Sequence, residues 1–323
     1  MKSGCSLTIS TQTSILIKYI AIVFVIVTHA NGGGPNAFQG LPLLSDTPLL
    51  GILCEGGMAL FLILSGYGIC CSIESRGGVI NYWYKRFVNV LFPAIIVQCG
   101  YFLAITLIAR SYSQDGLIGS LLCLRAVNNL DGTMWYLSML FFFYLLMYCC
   151  YLIFRNINVC GIAMFIIALI AFPLISGTWI SAFYCILCFP IGVLYYFLSK
   201  KFKEIPVILS TIIIFIGYSL CIYLCGFHCR ETEIGENIGA TAFAIATILL
   251  FNMIDIKSVP EFFACSLFLY LLEMKTIIKP NVYEVNFIPK WVTFLILFFL
   301  TNVMAYTMMK LYDRFKNRFL KIT

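Results

Sequence analysis

Charged residues are scarce in this chain, and that scarcity excludes most classes of soluble protein. Only 11% of the 323 residues are charged and 62% are hydrophobic, whereas soluble domains average about 25% charged and 45–50% apolar residues. At this length, membrane spans leave little room for a separate soluble domain. We therefore expect an all-α, polytopic integral membrane protein, a helix bundle that forms a single domain over residues 1–323.

Histidine is rarer still, and clusters of metal ligands are not evident. The chain has two histidines and fifteen cysteines, and most of the cysteines lie in apolar runs, where they act as small apolar residues. The Cys185–Cys188 pair falls inside a predicted span, and Cys225, His228 and Cys229 lack a fourth ligand nearby. We therefore predict no metal site and no tightly bound cofactor. Internal repeats are also not evident, which argues against an inverted-repeat transporter.

The net charge of +7 indicates membrane topology rather than nucleic-acid binding, because the basic residues lie in short loops. With the N-terminus inside, fourteen Lys and Arg fall in inner segments and six in outer segments, so both termini are predicted to be cytoplasmic. Residues 312–323 form a short basic tail, and residues 1–14 lack the apolar core of a signal peptide. Apolar runs of about 17–25 residues predict about ten spans, near 15–30, 50–72, 88–110, 134–154, 159–176, 179–198, 206–225, 238–254, 261–278 and 291–311.

The first span, ILIKYIAIVFVIVTH at 15–29, contains two ionisable residues. Lys18 and His29 are separated by about 1,100° of helical rotation and about 16 Å of rise, so they lie on one helix face. Because ionisable side chains are costly in lipid, this pattern indicates a helix that lines a polar cavity. The alternative is that Lys18 snorkels to the inner interface while His29 caps the outer end.

Two carboxylates fall at depths where they could meet His29. Glu55 opens the second span on the outer side, either as a partner of His29 or as an interfacial acid in water. Glu273 lies within the ninth span, where a carboxylate needs a reason to be. It either pairs with Lys275 or Lys279 at the outer interface or faces the same cavity as His29.

Other residue patterns have both a functional and a structural interpretation. Lys85 and Arg86, which follow three aromatic residues, suit the phosphates of a cofactor that enters from the cytosol, or form a positive-inside anchor. The stretch GGMALFLILSGYGI at 56–69 contains small residues that let helix backbones approach closely. Trp135 and Tyr144 bracket an apolar helix, which packing alone also explains.

Four segments, in this order and spacing, resemble the membrane-bound acyltransferase family 3, whose members have about ten spans. They are the family's basic-x10-His element (Lys18, His29), its F-x-x-x-SG-[FY] stretch (Phe61, Ser65, Gly66, Tyr67), its Arg-rich, Pro-ended stretch (Arg86 through Pro93) and its W-x-L…Y helix (Trp135, Leu137, Tyr144).

The resemblance implies an O-acyltransferase of the bacterial inner membrane. It would move an acetyl or larger acyl group from cytosolic acetyl-CoA, as co-substrate, to a hydroxyl of a cell-surface polysaccharide or its lipid-linked precursor. His29 would be the catalytic base or a covalent acyl carrier, supported by Lys18, while Arg86 and Lys85 bind the donor. The remaining cavity residues would be Glu55, Ser65, Gly66, Tyr67, Trp135, Tyr144 and Glu273. Membrane lipid, the acyl donor and the saccharide are the expected partners, and nucleic acid is not.

The chain departs from the family pattern at four positions. Lys18 replaces an arginine, Asn89 stands near the second basic residue of the cytoplasmic pair, Leu140 replaces a frequent Glu, and Glu273 replaces a frequent His. These departures indicate a divergent branch, a different acceptor or a protein that no longer turns over. The alternative from another class is a transporter or flippase for a lipid-linked saccharide, without catalytic activity.

Overall fold

A computed structural model describes residues 4–30, 48–76, 79–109, 135–175, 185–227, 233–278 and 289–320. Helices account for nearly all of these residues, so the predicted all-α class is confirmed. In chain order the α-helices are α1 (Thr11–Ala30), α2 (Pro48–Arg76), α3 (Val79–Arg86), α4 (Phe92–Ala109), α5 (Trp135–Phe154), α6 (Ile157–Ile175), α7 (Cys188–Lys201), α8 (Val207–Cys221), α9 (Glu233–Ile254), α10 (Ser266–Glu273) and α11 (Lys290–Phe315).

Several helices pass directly into π-helical turns. One π turn, Phe87–Leu91, joins α3 to α4, so the predicted third span is continuous with the short helix before it. The others in the described residues follow α8, α10 and α11, at Ile222–Phe227, Met274–Ile278 and Lys316–Leu320, and a 3-10 turn at Glu261–Cys265 precedes α10. Because π turns re-aim side chains and occur often at functional sites, the residues beside them are candidates for function.

Six helical stretches within the described ranges are long and apolar enough to cross a membrane. Two shorter apolar helices, Met139–Phe154 and Ile157–Ala171, match the predicted fourth and fifth spans. The chain is therefore a multi-pass membrane protein. The six stretches are Thr11–Ala30, Glu55–Ser75, Trp83–Ala104, Val207–Cys225, Asn237–Ile254 and Lys290–Arg318.

The chain divides into two compact units, and the first comprises Met1–Thr28, Leu44–Tyr82 and Phe141–Pro260. Its centre is the crossing of α2 with α7, and α9 packs on both α2 and α8. Two short antiparallel strands, β1 (Gly4–Ser6) and β2 (Glu204–Pro206), tie the N-terminal segment to this unit. Sequence periodicity could not predict strands of three residues.

Two glycines permit the crossing of α2 with α7. A Cβ atom at Gly66 would lie 2.2 Å from the carbonyl oxygen of Phe189, and one at Gly192 would lie 2.2 Å from that of Ile63. Both obstacles are backbone atoms of the partner helix, which cannot rotate away. Because helix association in lipid depends on close van der Waals packing, the role predicted for small residues in the second span is confirmed at Gly66.

We expect Gly66→Ala to destabilise the protein, because the added methyl group must push two helix backbones apart. Overpacking of this kind costs about 1–3 kcal/mol, so the midpoint of thermal unfolding in detergent should fall. Gly100→Ala is the matched control, since a Cβ atom there meets nothing within 4 Å. An equal midpoint for both variants would contradict the packing role of Gly66.

The second unit comprises His29–Leu43, Trp83–Leu140 and Glu261–Thr323. Its helix α10 packs against α11 and α4. After α10, the hydroxyl groups of Thr276 and Thr301 lie 2.8 Å apart, and the Lys275 ammonium lies 5.1 Å from the centroid of the Tyr101 ring. Before α10, Glu261 accepts a hydrogen bond from Lys310. These contacts fix α10 at both ends.

Candidate active site

His29 and Glu273 form a pair within the second unit. His29 lies in the last turn of α1, Glu273 is the last residue of α10, and the His29 Nδ1 atom is 3.1 Å from Glu273 Oε1. The two residues are 244 positions apart in the sequence. Of the alternatives left open for Glu273, the structure supports the one in which it faces His29, and Lys275 lies over the Tyr101 ring.

Both side chains of the pair are largely shielded from solvent. The Glu273 side chain is 0% exposed and that of His29 is 17% exposed. An ionised carboxylate only accepts hydrogen bonds, so it favours the tautomer in which Nδ1 carries the proton and Nε2 presents a lone pair. The second oxygen, Glu273 Oε2, is buried without a hydrogen-bond partner in the described part of the chain. A buried unpaired oxygen is costly, which favours a functional rather than a stabilising role.

Aromatic side chains support Glu273 on its own helix. Tyr270, one turn before Glu273, packs edge-on against Tyr136 with ring centroids 5.6 Å apart. Tyr136 and Leu140 are both buried on α5. The side chain of Trp135, which the sequence analysis singled out, lies outside the described residues, and its neighbour Tyr136 was missed. The only sequence signal for Tyr136 was its position beside Trp135.

Lys85 and Arg86 end α3 directly before the π turn Phe87–Leu91, and both side chains are half-buried. The Asn89 side-chain amide within this turn donates to the Lys85 carbonyl oxygen at 2.9 Å. Arg86, like Glu273, therefore lies immediately before a π turn. Two residues predicted from sequence thus occupy the kind of local geometry in which helices often place functional side chains.

Comparison with protein families decides the class of this protein. The family model described as the acyltransferase domain of family 3 matches residues 14–320. The chain belongs to acyltransferase family 3. The match covers both units and includes His29, Glu273 and Arg86, so the predicted family and the predicted enzyme class are confirmed. No curated protein and no solved structure matched the acyltransferase.

The other predicted residues of the acyltransferase lie in its first unit. Lys18 is half-buried on α1, on the same helix as His29. Glu55 lies beside Cys185, with its Oε2 atom 3.7 Å from the thiol sulfur. Their assignment to the active site stays a prediction.

The four remaining residues lie on α2 and α5 of the same unit. Ser65 is half-buried, whereas Gly66 lies in the helix crossing described above. The Tyr67 hydroxyl accepts a hydrogen bond from the Ile9 N–H at 3.2 Å. Tyr144 is buried with its ring 6.1 Å from that of Phe189. These contacts give Gly66, Tyr67 and Tyr144 packing roles in the acyltransferase, and the predicted role in a substrate cavity is untested.

No group of three or more His, Cys, Asp or Glu side chains within the described ranges is placed to hold a metal ion. His228 and Cys229, which the sequence analysis considered as ligands together with Cys225, lie outside those ranges. His29 and Glu273, whose Nδ1 and Oε1 atoms lie 3.1 Å apart, stay the candidates for acid and base groups, and their assignment to an active site is a prediction.

Proposed function

We propose that this membrane acyltransferase moves an acetyl or larger acyl group from cytosolic acetyl-CoA to a hydroxyl of a cell-surface polysaccharide or its lipid-linked precursor. The observation that carries the proposal is the pair of His29 and the buried Glu273, with Nδ1 and Oε1 3.1 Å apart. We further propose one domain of about ten spans in the bacterial inner membrane, with both termini in the cytoplasm. The acceptor then lies outside and the donor inside.

The pair supports a general-base mechanism. His29 Nε2 takes the proton of the acceptor hydroxyl as its oxygen attacks the thioester carbonyl carbon, so a C–O bond forms and the C–S bond breaks. The proton then passes from His29 to the departing sulfur, which leaves as coenzyme A thiol. Glu273 holds the imidazole ring in place and stabilises the positive charge that the ring carries between the two transfers.

Donor binding is assigned to Lys85 and Arg86. A coenzyme A nucleotide carries several phosphate groups, and the Arg86 guanidinium can hold two phosphate oxygens at once. Lys18, on the same helix as His29 but about 16 Å of rise away from it, is proposed to help hold the donor. Arg86 and Lys18 belong to the sequence motifs that resemble the family, and Lys85 directly precedes one of them.

The proposal is tested by the transfer of label from radiolabelled acetyl-CoA into cell-envelope polysaccharide. Membranes that contain the protein should incorporate base-labile label, as expected for an O-ester, and membranes that lack it should not. If a lipid-linked saccharide crosses the membrane of vesicles that contain the protein and no label is incorporated, the result would support the flippase alternative and contradict the proposal.

Within this assay, we expect Arg86→Ala to raise the KM for acetyl-CoA about tenfold or more, with kcat largely kept. The reason is that a charge-assisted contact to phosphate contributes to donor binding and not to the chemical step. Lys257→Ala is the matched control, because Lys257 is an exposed cation in a predicted inner segment. Equal KM values for the two variants would contradict the assignment of Arg86 to the donor site.

A further inference from the structure

The C-terminal end of α11 packs onto the π turn that follows Arg86. The Tyr312 hydroxyl donates a hydrogen bond to the carbonyl oxygen of Val88 within that turn. The Phe92 ring, just after the turn, has its centroid 6.3 Å from those of Tyr312 and Phe315. Through these contacts, the basic segment that the sequence analysis assigned to a separate tail is attached to the predicted donor site.

Lys316, just after α11, contacts the same turn. Its ammonium lies 3.4 Å from Asn89 Oδ1, and the amide of Asn89 donates to the Lys85 carbonyl oxygen at 2.9 Å. Asn89 therefore links the Lys316 ammonium group to the Lys85 backbone through these two contacts. The Lys316 side chain is 21% exposed, so it is held in place and still accessible to solvent.

We propose that Lys316 is the third cation of an anion-binding site formed with Lys85 and Arg86, and that this site binds the phosphate groups of the acyl donor. The inference rests on the proposed function for the identity of the donor. Lys85 and Arg86 directly precede the turn that Lys316 contacts, and a phosphate bound there would offset the repulsion among charges of one sign. Asn89 carries no charge, so the positive charge beside this part of the turn is that of Lys316, just after α11.

Asp313 is the counter-ion of Lys316 before the anion binds. Its Oδ1 atom lies 2.9 Å from Lys316 Nζ, and its side chain is 45% exposed. A phosphate and this carboxylate compete for the same ammonium group. The two residues therefore make opposite predictions, since removal of Lys316 weakens anion binding whereas neutralisation of Asp313 strengthens it.

The experiment measures coenzyme A binding to the purified full-length protein by isothermal titration calorimetry. We expect Lys316→Ala to raise the Kd about tenfold, as loss of one charge-assisted contact does, and Lys316→Arg to keep the wild-type Kd. Asp313→Asn should lower the Kd about twofold or more. Arg314→Ala is the matched control and should leave the Kd unchanged, because Arg314 is exposed and lies about 200° around the helix from Lys316.

The results separate failure of the inference from failure of the proposed donor. If wild-type protein binds coenzyme A and Lys316→Ala binds it equally well, Lys316 is not part of the site and the donor assignment stands. If wild-type protein does not bind coenzyme A but binds inorganic pyrophosphate, and Lys316→Ala weakens that binding, the anion site is supported and the donor assignment is contradicted. If it binds neither probe, both are overturned. Weaker binding by Asp313→Asn would also contradict the inference, because it would mean that the pair only holds the helix end.

Discussion

The rate of acyl transfer is expected to fall about 10²–10⁴-fold when His29 is replaced by alanine, because a positioned general base contributes a factor in this range. His29 is the titratable group that Glu273 holds, with Nδ1 3.1 Å from Oε1. Without the imidazole, the acceptor hydroxyl must lose its proton to water while its oxygen attacks the thioester. The measurement is incorporation of label from acetyl-CoA into polysaccharide, with expression matched across membranes.

His29→Asn guards against the possibility that the alanine variant fails to fold. The asparagine amide still donates a hydrogen bond to the buried Glu273 carboxylate, but it cannot accept a proton at neutral pH. It should therefore insert normally and remain inactive. His228→Ala, which removes the other histidine of the chain, is the matched control and should keep wild-type activity. Full activity of His29→Asn would rule out the general-base mechanism.

The same preparations distinguish a base from a covalent carrier. If His29 carries the acyl group, purified wild-type protein incubated with labelled donor and no acceptor should retain label that His29→Asn does not retain. If His29 acts only as a base, neither protein should become labelled.

The sequence singled out each member of the His29–Glu273 pair but left their meeting as one of several alternatives. Both residues stood out because ionisable groups within apolar spans need a structural or functional reason. Periodicity places a residue on a face of its own helix, yet it does not say which other helix meets that face. Glu55 therefore stayed open as a partner of His29, and Lys275 or Lys279 as a partner of Glu273, until the contact between residues 244 positions apart was known.

For the fold, the sequence likewise predicted the class but not the local features. Apolar runs indicated an all-α membrane protein, but they gave no sign of the π turns that follow Arg86 and Glu273. At Phe87–Leu91, Tyr312 of a distant helix donates to the Val88 carbonyl oxygen, and the sequence pattern of one helix does not indicate such a contact. The contact between Lys316 and Asn89 was hidden for the same reason, although the basic segment and the asparagine were each noted.

The second large effect is expected for Glu273→Gln, which replaces the buried carboxylate by a neutral side chain of the same shape. We expect kcat to fall about 10²-fold or more with little change in the KM for acetyl-CoA. The amide provides no negative charge to stabilise the imidazolium formed during transfer, and its NH₂ group can bind Nδ1 in the wrong tautomer. Steady-state kinetics on wild type and variant, with donor and acceptor varied separately, measures both constants.

A structural role for Glu273 would give a different result. In that case, Glu273→Gln would lower the amount of folded protein and leave kcat per folded molecule unchanged. Combination with His29→Asn adds a second criterion, because residues that act as one unit are not additive. The double variant should be no less active than His29→Asn alone, and a further large loss would show that the two residues act independently.

Glu273→His tests whether this chain requires a carboxylate at a position where the family pattern it resembles often has histidine. If a carboxylate is what His29 needs, a second imidazole cannot replace it, because a neutral ring carries no negative charge and a protonated ring repels the imidazolium. We therefore expect Glu273→His to be as impaired as Glu273→Gln, whereas Glu273→Asp should recover part of the activity by keeping the charge. Wild-type activity in Glu273→His would mean that hydrogen bonding alone orients His29, and the charge of Glu273 would then have no part in the transfer.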